Sequence, residues 1–158
     1  MAKKNAYNID TMAKIIVCLV ENFGKDGLVK YLLDRLIRIE SDSIIPSHKS
    51  KEVIELEKKY GISLSELSRN KIYTKNKEMS KFIVIEHGLP EGQAIEMIFN
   101  EPKKEIVKNI LEDIKMNLVY ITKKEHKTIK NHRRTKGKNG YYWEESYDKA
   151  KIIVEKNS

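Results

Sequence analysis

Two short runs, FIVIEH (82–87) and NLVYIT (117–122), are dense in β-branched and aromatic residues, while the chain around them mostly repeats its apolar side chains at helical intervals. That contrast sets the expected fold class, α+β and mainly helical. A first helix is read from Ile9, Met12, Ile16, Leu19, Val20 and Phe23, with Gly24 as its stop. Leu28, Leu32 and Leu36 beside Val29, Leu33 and Ile37 make a double apolar row on a second, so residues 1–45 read as an N-terminal helical hairpin. The serine-rich SDSIIPSHKS then reads as a connector with an exposed His48.

Residues 46–75 follow as a pair of helices. KEVIELEKKYG ends at Gly61 in the manner of a left-handed cap, and Ser63 with Glu66 makes a capping box for the next helix. LEKKYGISLSELSR therefore resembles a helix-turn-helix, although Glu57 stands where that motif wants a small residue. Between the two strand-like runs lie a short helix (Ala94, Ile95, Ile98, Phe99) and a longer one (Ile106, Val107, Ile110, Leu111, Ile114). Thr122 and Glu125 form another capping box, and Trp143, Tyr147, Ala150 and Val154 predict a closing helix that docks on the core. The chain suits one compact domain overall.

Charge is unevenly spread. Of 31 Lys and Arg, eight fall in residues 123–138 with one acid, Glu125, so this stretch carries +7 of the net +8. Its basic side chains are Lys123, Lys124, Lys127, Lys130, Arg133, Arg134, Lys136 and Lys138, with His132 among them. Concentrated positive charge attracts polyphosphate and releases its counterions, which makes nucleic acid, DNA first, the expected partner. A solvated charged loop is the plain alternative. The lone Cys18 excludes an intramolecular disulfide and suits a reducing cytoplasm, and IIVCLV is too short for a membrane span and lacks a cleavage site for a leader. A homodimer or a protein partner stays open.

Glu86-His87 and Glu125-His126 each follow a strand-like run, and Asn117 stands nine residues before His126. An imidazole beside a carboxylate can act as a base or hold a cation, and two such elements could meet on one phosphate. IEHGLP and NLVYITKKEH are similar to the ββα-metal motif of the HNH family of nucleases over roughly residues 81–132, with an inserted helical pair between the strands. The resemblance implies an HNH-like region within 76–158 and a metal-dependent phosphodiester hydrolase. By that likeness His87 would be the general base and Asn117 the structural asparagine. Glu86 and His126 would be ligands to a divalent metal, magnesium or manganese.

The same residues have a plainer reading, in which His87 and His126 are ordinary histidines at element ends, Glu125 is a cap and Asn117 a turn former. A non-catalytic nucleic-acid-binding protein, either a helix-turn-helix regulator or an inhibitor occupying such a partner, is the alternative function. Tyr141, Tyr142 and Trp143 are candidates for base stacking, with core anchoring as the competing use of Trp143 and Tyr147.

Overall fold

The computed structural model describes residues 8–130 and 132–157. Helix α1 (Ile9–Phe23) starts on Asn8, whose side chain accepts the Asp10 and Thr11 amides, and stops at Gly24, where φ is 65°. Helix α2 (Gly27–Ser43) starts on Asp26 in the same way. Of its two apolar rows, Val29, Leu33 and Ile37 are buried, whereas Leu28 and Leu32 reach the surface.

The segment read as a connector contains strand β1 (His48–Ser50), and His48 is buried on it rather than exposed. Three polar residues carry no visible period; pairing from both sides makes them a strand. Helix α3 (Lys51–Tyr60) follows and closes on Gly61 in the left-handed conformation, φ 66° and ψ 32°. The helix expected from Ser63 does not form. Glu57 Oε1 accepts the Leu64 amide at 2.6 Å and the same carboxylate pairs with Lys49 at 2.8 Å, pinning the chain in an irregular course until α4 (Arg69–Lys75) and α5 (Lys77–Ser80). The residue that a helix-turn-helix would want small is thus the one that holds this segment open.

Strand β2 (Ile83–His87) leads to α6 (Glu91–Asn100) and α7 (Lys104–Met116), then to β3 (Leu118–Thr122) and the short α8 (Lys123–Thr128). Thr122 and Glu125 make the expected capping box. The closing helix is shorter than its periodicity suggested. α9 (Glu144–Ala150) ends at Lys151, φ 58°, and Val154 belongs to β4 (Val154–Lys156).

The four strands lie in the order β2-β3-β1-β4, with β3 antiparallel to β2 and parallel to β1, and β4 antiparallel to β1. All of β3 is buried, as its continuous apolar sequence requires for a strand covered on both faces. One face meets α3 to α5 through Val53, Ile72, Met79 and Tyr120; the other meets Tyr147 and Ile152 around α9. A separate core of Ile16, Leu33, Ile98 and Leu111 joins α1, α2, α6 and α7. No helix among the described residues is long and apolar enough to cross a membrane.

Gly88 links the sheet to the helical core. Its amide donates to the Asn117 carbonyl at 2.7 Å, and an added Cβ would lie 2.7 Å from Trp143 Cδ1 and 2.8 Å from the Asn117 oxygen. Gly88→Ala is therefore expected to cost about 1–3 kcal/mol by overpacking, read as a lower urea midpoint with an unchanged slope.

Candidate nucleic-acid interface

Side chains alternate across a strand, so the neighbours Glu86 and His87 leave β2 on opposite faces. Glu86 turns toward α9 and is 5% exposed; Oε1 accepts from Arg134 Nη2 at 2.9 Å and Oε2 from the Tyr147 hydroxyl at 2.9 Å. Arg134 Nη1 also donates to the Gly88 carbonyl at 3.0 Å. Asn117 ends α7, with Nδ2 donating to the Asp113 carbonyl and Oδ1 accepting the Tyr142 amide, both at 2.7 Å. It is a structural residue, two places from Glu86 along this junction.

His126 is exposed on α8, beyond Thr122, which pairs with Ile83 at one end of the β2-β3 ladder. His87 pairs with Leu118 at the other end, about 13 Å of strand away. The four residues of the ββα-like pattern are thus not brought around one point. A magnesium or manganese ion does not fit them: both Glu86 oxygens are already engaged by Arg134 and Tyr147. No group of three His, Cys, Asp or Glu among the described residues is arranged to hold a metal.

His87 instead meets the C-terminal turn of α2. Nε2 lies 3.0 Å from Ser41 Oγ and 3.2 Å from Glu91 Oε1. Ser41 donates its own proton to the Ile37 carbonyl, so the imidazole must be the donor to the serine oxygen. This leaves Glu91 Oε1 in close approach but without an accepted hydrogen bond. One nitrogen facing both groups is not the geometry of a nucleophilic triad, whose two ring nitrogens serve different partners. Burial, with Arg38 and Arg69 nearby, lowers the His87 pKa to about 4. Burial raises that of Glu91 to about 7, opposed by Arg38 and reinforced by Asp34 and Asp42.

The basic stretch divides its charges. Arg134 is buried on Glu86, Arg133 pairs with Glu96 at 2.9 Å, and Lys136 pairs with Asp113 at 3.0 Å. His132 is exposed, with Nδ1 2.8 Å from the Lys130 carbonyl. Lys123, Lys124, Lys127, Lys130 and Lys138 remain at the surface. Tyr141 and Trp143 stack on each other with ring centres 5.0 Å apart, Tyr142 is buried, and Tyr147 is an anchor at 1% exposure.

The sequence offers only the start of a second basic segment, residues 64–72, as a nucleic-acid contact of the helix-turn-helix alternative. Residues 69–81 hold Arg69, Lys71, Lys75, Lys77 and Lys81 against Glu78, a signal masked there by the helix-turn-helix pattern laid over its start. The fold joins it to the first: Lys123 N–H donates to the Phe82 carbonyl at 2.8 Å, tying α8 to the beginning of β2. Arg69, Lys81 and Lys123 thereby border a half-enclosed cavity of about 260 Å³, lined also by Ile72, Ile83 and Tyr73. Tyr73 is 57% exposed. Compared with protein-family models, with curated proteins and with solved structures, the chain finds no match.

Two stability tests follow from the buried groups. Arg134→Met strands the Glu86 charge and is expected to cost roughly 3–5 kcal/mol, and adding Glu86→Leu should recover much of that loss in urea unfolding. Near pH 5.5 the folded protein holds a neutral His87 and a protonated Glu91, the reverse of the unfolded chain, so their proton counts nearly cancel. In His87→Gln the raised pKa of Glu91 acts alone. Its stabilisation is complete below the ordinary glutamate value and is lost as pH rises through about 7, with a slope of at most ~1.4 kcal/mol per pH unit. In Glu91→Gln the depressed pKa of His87 acts alone, and stability is lost as pH falls from the ordinary histidine value through about 4. Urea midpoints from pH 4 to 7 should show opposite slopes for the two variants.

Proposed function

We propose that the chain is a nucleic-acid-binding protein that grips the phosphate backbone without hydrolysing it. The observation that carries this reading is the meeting of two basic segments, 69–81 and 123–127, around Lys123. Apposed cations from separate segments raise the local positive potential more than either does alone, and polyphosphate binding follows from counterion release. Few of these charges are firmly neutralised. Arg69 is 3.7 Å from Asp42, Lys124 is 85% exposed and 3.7 Å from Glu52, and the 2.7 Å pair of Lys81 with Glu78 is solvent-exposed and so adds little.

The non-catalytic reading is preferred to an HNH-like hydrolase because the required groups diverge: Glu86 is sealed by Arg134 and His126 faces water at the other end of the ladder. Arg134, buried on Glu86, drops out of the expected contact set, and Arg133 and Lys136 pair with Glu96 and Asp113 away from the cavity rim. Lys123, Lys124, Lys127 and Lys130 stay in that set, joined by Arg69 and Lys81.

Fluorescence anisotropy with a labelled 20-nucleotide strand, DNA and RNA in turn, tests this. Affinity should fall at least tenfold between 50 and 200 mM salt, with several phosphates engaged. It should be indifferent to chelator. Arg69→Glu with Lys123→Glu should weaken it at least tenfold further, and Lys25→Glu, on the α1-α2 turn, should not. Absence of binding at 50 mM salt sinks the proposal, and strand cleavage that needs magnesium or manganese returns the hydrolase.

A further inference from the structure

The cavity between α4, α5 and β2 has a feature that charge alone does not call for. In an antiparallel ladder alternate residues turn their amide and carbonyl groups toward the partner strand. Lys123 donates to the Phe82 carbonyl and Gly88 donates to that of Asn117, so the even-numbered residues of β2 face β3. Ile83, Ile85 and His87 therefore turn theirs outward, from an edge strand of the sheet. The His87 carbonyl meets Arg134 Nη1 at 3.4 Å. Ile83 and Ile85, whose outward groups lie on this edge, are both among the residues that line the cavity.

An open strand edge commonly recruits another strand. Here α5 abuts one end of β2 and Arg134 occupies the other, leaving an open run of two or three residues, short for strand addition. The volume, about 260 Å³, lies just under the roughly 300–1,000 Å³ of sites for whole drug-sized ligands, which suits a single ring system. The walls are apolar at Ile72 and Ile83 and aromatic at Tyr73, and Arg69, Lys81 and Lys123 carry charge around them. A flat group with edge donors and acceptors, joined to anions, matches all three properties.

We propose that this cavity takes one unpaired base of a single-stranded nucleic acid, its edge met by the outward backbone of Ile83 and Ile85 and its flanking phosphates by Arg69, Lys81 and Lys123. The inference rests on the nucleic-acid reading above and narrows it to strands whose bases are free. Tyr73 supplies a ring against which a base can stack, a contact every base can make. Duplex DNA, whose bases are already stacked and paired, has to expose one before it can enter.

Anisotropy with three labelled probes separates the two claims: a mixed-sequence 15-mer strand, the same strand with every second base removed, and its blunt duplex. The partly abasic strand keeps every phosphate. The wild-type protein is expected to bind the intact strand at least tenfold more tightly than either of the others. Tyr73→Ala, at an exposed position, and Ser80→Phe, which fills the cavity, should each reduce the intact strand to the level of the partly abasic one. Equal, salt-sensitive binding of all three probes overturns the base site and leaves the phosphate grip standing. Binding of none at 50 mM salt overturns both, and competition by a 15-residue polyglutamate as strong as that by the intact strand assigns the rim to an acidic protein instead.

Discussion

The buried pair of Glu86 and Arg134 fixes how the second half of the chain lies on the first. Their side chains are 6% and 3% exposed, so both charges have left water. Such a pair adds little net stability compared with an apolar replacement, but either partner alone would be costly. It acts chiefly as a registration device. One guanidinium holds the β2 carboxylate and the carbonyl that follows it, and so ties residue 134 to the end of a strand 48 residues earlier. From that clamp the chain can reach Asn117, whose side-chain oxygen takes the Tyr142 amide, and then lay α9 over the sheet.

This use of Arg134 changes the meaning of the basic stretch. A run of like charge looks like one surface, yet three of its cations are bound to Glu86, Glu96 and Asp113. The remaining positive field lies toward the start of the run, where α8 meets the α4-α5 segment. Counting charges along the run does not show which of them the fold leaves at the surface. A field depends on where charges converge, and convergence here comes from a hydrogen bond between Lys123 and Phe82.

Local signals were legible where one element suffices to state them. Gly24 and Gly61 end helices as their sequence context says, the Thr122-Glu125 box caps α8, and the apolar row through Ile110 and Ile114 belongs to a helix. β1 and β4 were not legible, since three residues such as HKS or VEK become strands only through pairing with distant partners. The Ser63 helix failed for a related reason: a carboxylate seven residues earlier captured the Leu64 amide. The same limit governed the site. Period two along FIVIEH already separates Glu86 from His87, whereas nothing in the sequence tells that the first meets Arg134 and the second Glu91.

The cations at the edge of β2 have an explanation that needs no ligand. Lysines and arginines beside an open strand repel a second copy of the chain and keep the edge from pairing. That account covers Lys81, Lys123 and Arg69 but does not cover what lies between them. An edge that needed only protection could be closed by packing α4 directly against it, which would bury Ile83 and Ile85 without a gap. In the observed fold α4 and α5 stand off by about 260 Å³, and Tyr73 is left 57% exposed at the cavity. The lost contacts weaken packing, and the half-open hollow lets water meet the outward peptide groups, a solvent that the planar, polar-edged group proposed above would displace.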